Sequence, residues 1–131
     1  MDTGEGARVL IVDDTASIRF LLRMNLELAG FTVEEAVDGV AALETLRSGA
    51  PLPDLVTVDV VMPRMDGVET VEAIRADPAL ADLPVVMVTT QGHPTSVRRG
   101  LEAGVDEYVV KPFDPDALVA TVGDLIAARR R

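Results

Sequence analysis

The sequence has no cysteine among its 131 residues, which excludes disulfides and thiolate metal sites. Tryptophan is absent too, and one tyrosine and three phenylalanines leave a core to be built from Val, Leu, Ala and Ile. Basic residues are few: 12 Lys+Arg stand against 22 Asp+Glu, a formal charge of −10. A surface of that sign repels polyphosphate and anionic lipid, so neither nucleic-acid binding nor membrane insertion is expected. Long apolar runs are also missing. Val9 to Val12 is far too short for a signal-peptide core, and no stretch approaches the length of a membrane span, so a cytoplasmic location is expected. The single histidine, His93, lies between Gly92 and Pro94 with no second imidazole to assist it, and reads as an exposed loop residue.

What is present is ample core material, 48% hydrophobic residues, enough for one domain with a single core. That domain is expected over residues 7–128, between an N-terminal tail at 1–6 and a basic tail at 129–131. Short β-branched runs alternate with segments of helical spacing, the mark of a parallel sheet covered by helices on both faces. The strand candidates are Val9 to Val12, Thr32 to Val37, Leu55 to Val58, Val85 to Val88 and Tyr108 to Val110. Four are almost wholly apolar, as strands buried on both faces should be. In the second, Thr32, Glu34 and Glu35 interrupt the pattern, which suits a sheet edge.

Ile18, Leu21, Leu22 and Leu26 recur at helical spacing, as do Leu118, Val122, Leu125 and Ile126. Asp66 followed by Glu69 resembles a capping box, and Asp114-Pro115 places a cap before a proline at the first helical position. Helices are predicted over 68–76 and 115–128. Between Gly92 and Gly104 a short, loosely held helix is expected, because Gly92, Pro94, Gly100 and Gly104 all lower helix stability.

The polar residues gather at strand ends. Asp13 and Asp14 follow the first strand, Asp59 the third, Thr89 and Thr90 end the fourth, and Lys111 follows the fifth. In a parallel sheet these ends share one edge, where open α/β sheets bind ligands. Taken singly, most have bland readings: Asp14 could equally cap the next helix, Thr89 could simply end a strand, and Lys111 could be a surface lysine. Asp59 is harder to dismiss, since an uncompensated carboxylate within Val56-Thr57-Val58-Asp59-Val60-Val61 would be costly. Together, three carboxylates and one ammonium call for a divalent cation. Hard oxygen donors without His or Cys favour Mg²⁺, with Mn²⁺ as the other possible ion, and such a site suits a phosphoryl group.

These residues resemble the receiver domains of two-component response regulators, particularly the single-domain, CheY-like chemotaxis type. The resemblance is carried by Val9 to Asp14, Asp59 in Asp-Val-Val-Met-Pro, Met65-Asp66-Gly67, Val85 to Thr90, and Tyr108 to Phe113. It implies a flavodoxin-like, doubly wound (βα)5 fold with five parallel strands in the order 2-1-3-4-5. It also implies phosphotransfer to Asp59 from a sensor histidine kinase or histidine phosphotransfer protein, with the chain catalysing its own phosphorylation and dephosphorylation. On that pattern Asp13, Asp14, Asp59 and the backbone carbonyl of Val61 hold the metal. Thr89 matches the switch hydroxyl, Tyr108 the switch aromatic, and Lys111 the lysine before a proline that commonly follows a cis peptide bond. Outside that context Tyr108 is an ordinary strand tyrosine.

Val61 and Gln91 fall where receivers vary and where the path of hydrolytic water runs, so both are expected to modulate phosphoryl lifetime. The output surface is expected on the fourth helix, fifth strand and fifth helix, with a downstream target such as a flagellar-motor switch protein and a monomer when unphosphorylated. Stand-alone phosphorelay or phosphate-sink service is the alternative. A phosphoaspartate phosphatase of the haloacid-dehalogenase type would need a first-strand Asp-x-Asp, which is missing here. A nucleotide or flavin binder would want a glycine- and hydroxyl-rich loop where Asp13-Asp14-Thr15-Ala16 stands. A receiver-like scaffold that is never phosphorylated also remains open.

Overall fold

The computed structural model describes residues 6–130, so residues 1–5 of the expected N-terminal tail, and Arg131, lie outside it. Ten elements alternate: β1 (Arg8–Val12), α1 (Ala16–Leu28), β2 (Thr32–Ala36), α2 (Gly39–Leu46), β3 (Leu55–Val58), α3 (Gly67–Ala76), β4 (Val85–Thr89), α4 (Pro94–Ala103), β5 (Glu107–Val110) and α5 (Pro115–Arg130). The strands form one parallel sheet in the order β2-β1-β3-β4-β5, the flavodoxin-like arrangement the resemblance implied. Among the described residues no helix is long and apolar enough to cross a membrane.

Strand alternation builds two apolar layers, because successive side chains point to opposite faces. Leu10, Val12, Val56, Val58, Val85 and Met87 pack with Leu43 and Leu46 of α2 and Val71 and Ile74 of α3. Val9, Ile11, Leu55, Val86 and Val88 face the other way, onto Leu22 and Leu26 of α1 and Leu118, Val122 and Ile126 of α5.

Three expectations need correction. β5 is not buried on both faces: it is a sheet edge, with Glu107 and Val110 exposed and Tyr108 and Val109 half-buried. In α1, Leu21 lies outside the buried stripe, exposed along with Phe20, Met24 and Leu28; apolar residues wrap too far around this helix for one sheet contact to cover them all. α5 does not stop at 128. Arg129 and Arg130 form its last turn, favourably placed against the helix dipole, and Arg130 pairs with Asp54 at 3.3 Å.

α4 is the short helix expected between Gly92 and Gly104, ten residues long with only Gly100 buried. The residues expected to weaken it mostly sit at its ends, where they fit. Pro94 occupies the first turn, which needs no N–H, and the His93 imidazole accepts from the Thr95 N–H at 3.1 Å. Gly104 closes the helix in the left-handed region at φ 116°. The Arg75 guanidinium then holds the Gly104 carbonyl, through Nε at 2.9 Å and Nη2 at 2.7 Å. At α3, Asp66 and Glu69 form the expected reciprocal capping box.

Candidate functional site

Register brings the acidic residues to one level. Val12 stands opposite Ala36 on β2 and Val58 on β3. The ladder then continues one residue further, with the Asp13 N–H donating to the Ala36 carbonyl at 3.2 Å and the Asp59 N–H to the Val12 carbonyl at 3.1 Å. Asp13 and Asp59 therefore leave the sheet side by side. Asp14, one residue on, is exposed and does not cap α1, whose N-cap is Thr15 and makes no side-chain cap bond.

One carboxylate oxygen from each of Asp13, Asp14 and Asp59 lies within 4.8 Å of the others. Asp13 and Asp59 are buried. Lys111 is carried in from β5, its N–H donating to the Thr89 carbonyl at 2.7 Å, and the peptide bond to Pro112 is cis. Its ammonium donates to Oδ2 of Asp13 at 3.0 Å and to Oδ2 of Asp59 at 3.2 Å. Asp13 Oδ1 accepts from the Thr15 N–H at 2.9 Å, and Asp59 Oδ1 from the Val60 N–H at 2.7 Å. Three carboxylates against one ammonium leave two negative charges uncompensated. That deficit, presented on hard oxygen donors with no imidazole or thiolate in the cluster, fits a divalent magnesium ion.

Thr89, Gln91 and Tyr108 make a second, adjoining group. The Thr89 hydroxyl is fully buried and accepts from the Gln91 N–H at 3.2 Å, while the Tyr108 hydroxyl donates to the Gln91 carbonyl. Burial chiefly, and the Asp59 charge secondarily, push the Tyr108 phenol above its ordinary pKa. Tyr108 is half-buried and packs against the α2–α3 side of the core. Val61 is 60% exposed, its side chain turned away from the core.

Two features escaped the sequence reading. Gly67 admits no side chain, because a Cβ there would stand 2.1 Å from the Asp59 carbonyl oxygen. Asp38 is buried, caps α2 through the Ala41 N–H at 2.8 Å, and accepts a two-pronged bond from Arg64. An Asp before Gly39 is a cap signal in itself; its partner 26 residues away is not legible locally.

A five-stranded parallel sheet with an acidic cradle and a lysine at its carboxyl edge defines a receiver-type α/β domain. The chain belongs to the response regulator receiver domain family, which its sequence matches over residues 9–123. It is 36% identical over 114 residues to the sensor histidine kinase CheAY of Helicobacter pylori, covering 87% of this chain and 14% of that one. It is 38% identical over 119 residues to the DNA-binding dual master transcriptional regulator RpaA of Synechocystis sp., covering 91% and 48%. Among solved structures, chemotaxis protein CheY4 of Vibrio cholerae is similar at 37% identity and a TM-score of 0.82, covering 91% and 98%. The chain thus spans half or less of the length of these two curated relatives. Receiver domains are phosphoacceptor signalling modules of two-component systems; they bind Mg²⁺ at an acidic pocket and interact with histidine kinases and downstream effectors.

Proposed function

We propose that Asp59 accepts a phosphoryl group from the phosphohistidine of a sensor histidine kinase or histidine phosphotransfer protein, and that the chain catalyses both this transfer and the later hydrolysis. The observation that carries the reading is the convergence of three carboxylates within 4.8 Å with one ammonium bonded to two of them. In the transfer, an Asp59 carboxylate oxygen bonds to phosphorus as the phosphorus–nitrogen bond to the donor imidazole breaks. Hydrolysis places a water oxygen on phosphorus and returns the Asp59 carboxylate with inorganic phosphate.

Asp13, Asp14, Asp59 and the Val61 carbonyl are the residues that would hold Mg²⁺, or Mn²⁺ in its place. When bound, the ion would neutralise oxygen charge in the transfer. Lys111 leaves its bond to Asp59 Oδ2 and follows the developing charge onto a phosphoryl oxygen. Thr89 donates its hydroxyl to another oxygen, drawing on the Gln91 backbone and so on Tyr108. The face of α4, β5 and α5 carries that change to a partner.

Val61 and Gln91 set the phosphoryl lifetime, so Val61→Asn and Gln91→Ala are expected to change the dephosphorylation rate. A chemotaxis role with a flagellar-motor switch protein as target is the first reading of the pathway, supported by likeness to a chemotaxis protein. Relay or phosphate-sink service is the second, supported by likeness to a segment of a sensor histidine kinase. The unphosphorylated chain is taken as a cytoplasmic monomer.

Incubation with Mg²⁺ and a small acyl phosphate tests the reading. A mass gain localised to Asp59, lost in Asp59→Asn and without Mg²⁺, is expected. Rapid turnover of diverse phosphomonoesters would instead identify a phosphatase.

A further inference from the structure

The turn from β3 to α3 carries two of the ligands assigned above, Asp59 at its start and the Val61 carbonyl two residues on. Its ends are secured: the Gly67 N–H donates to the Val60 carbonyl at 2.8 Å, and the Met62 side chain is buried in the core. Val61 itself anchors nothing, being 60% exposed. The tip of the turn holds Arg64, which among the described residues is the only non-glycine with a positive φ, at 66°. Glycine or asparagine would adopt that conformation more readily.

What arginine adds there is a fork. Its Nε donates to Oδ2 of Asp38 at 2.7 Å, and its Nη2 to Oδ1 at 3.0 Å. Asp38 is a firm anchor. It is 3% exposed, and its Oδ1 also caps α2 through the Ala41 N–H at 2.8 Å. The bond therefore straps the tip of the β3–α3 turn onto the first turn of α2, an element that contributes no group to the acidic cluster. A bidentate guanidinium–carboxylate pair fixes angle as well as distance, which a lysine would not do.

We infer that Arg64 is a positioning residue for the acidic site: through Asp38 it fixes the β3–α3 turn so that the Val61 carbonyl faces the Asp13, Asp14 and Asp59 carboxylates. Arg64 acts through the backbone: among the described residues its guanidinium hydrogen-bonds only to Asp38. The inference rests on the Mg²⁺-binding reading of that cluster, and it adds a determinant that the carboxylates alone do not contain.

The test compares the full chain with Arg64→Asn, Asp38→Asn and the double variant, titrated with MgCl₂ alone and followed by the amide shifts of residues 59–62. Asparagine at 64 tolerates the left-handed conformation but lacks the fork, and asparagine at 38 keeps the helix cap but lacks the charge. Each single variant is expected to bind Mg²⁺ roughly tenfold more weakly, the scale on which outer partners of metal ligands act. The double variant is expected to bind no more weakly than either single one. Urea midpoints recorded alongside show whether a loss is global. Arg64 is mostly exposed, so Arg64→Asn decides alone if Asp38→Asn fails to fold. Unchanged Mg²⁺ affinity in Arg64→Asn, or losses that add in the double variant, would overturn the strap and leave the reading of the acidic site intact. A wild-type chain whose shifts ignore MgCl₂ would overturn both.

Discussion

A Cβ added to Gly100 would stand 2.9 Å from Cε2 and 3.0 Å from Cδ2 of Tyr108, so the tyrosine ring occupies the space that the missing side chain leaves. The same Cβ would meet the Met87 sulfur at 3.0 Å. Glycine in a helix interior costs about 1 kcal/mol relative to alanine, and here that cost is offset by a seat for the ring.

Gly100→Ala sets these two effects against each other. Both neighbours are ends of side chains, and Tyr108 lies at a half-exposed edge from which it can swing outward. The helix gain and the lost packing nearly cancel, so overall stability is expected to change by less than about 1 kcal/mol. The ring, however, leaves its seat and the bond to the Gln91 carbonyl is lost. With one tyrosine and no tryptophan in the chain, iodide quenching of intrinsic fluorescence reports on Tyr108 directly. Quenching is expected to rise in Gly100→Ala; equal quenching would mean that Gly100 does not seat the ring.

Thr57 supplies a prediction of a gain in stability. Its hydroxyl is buried with no hydrogen-bond partner among the described residues, between Ile11 and Val86 in the ladder and on the face covered by α1 and α5. An unpaired hydroxyl in such a layer is a desolvation cost with no return. Thr57→Val keeps the shape and removes the polar atom, and is expected to stabilise the chain by about 1 kcal/mol. The urea midpoint measures this, and a fall in it would show that the hydroxyl has a partner after all.

These two sites show which parts of the molecule a sequence makes legible. Four apolar strands, the capping box at Asp66 and the gathering of Asp13, Asp14, Asp59 and Lys111 at one edge depend on periodicity and local order, which the chain displays directly. The seat between Gly100 and Tyr108 and the strap between Asp38 and Arg64 depend on which surfaces the fold brings together. In α4 the same residues changed meaning with position: Pro94 and Gly104 would break a helix interior, yet here they begin and end one. β5 misled for a related reason. Its apolar composition suits a buried strand, but topology puts it at the edge, where Tyr108 and Val109 are only half-covered.

Lys111 is expected to set how the chain responds to Mg²⁺. Its side chain is 10% exposed and is bonded to Asp13 and Asp59, so Lys111→Met leaves two buried carboxylates facing each other without a cation. Removing one partner of a buried pair costs about 3 kcal/mol or more. That loss is expected in Mg²⁺-free buffer and is expected to shrink as MgCl₂ is added, since an ion binding the folded chain alone stabilises it by mass action. In Asp13→Asn the stabilisation by MgCl₂ should be much reduced. Equal responses of the melting temperature to MgCl₂ in wild type, Lys111→Met and Asp13→Asn would remove the electrostatic account of the cradle.

The strap from Arg64 to Asp38 makes stability depend on acid. The Arg64 fork chiefly, and the Ala41 N–H secondarily, hold the Asp38 carboxyl below its ordinary 3.8. A carboxyl whose folded pKa is depressed contributes stability that is complete above the unfolded value and is lost as the pH falls from there through the folded one. Wild type is therefore expected to be more stable than Arg64→Asn at pH 7, with the gap narrowing as the pH falls below the ordinary 3.8 toward the depressed folded value. Urea titrations of both proteins at pH 7, 5 and 3 measure the gap. A difference as wide at pH 3 as at pH 7 would show that Arg64 acts through packing of its stem, because an ion-pair contribution must fall once the pH drops below the ordinary carboxyl value and the unfolded chain binds the proton.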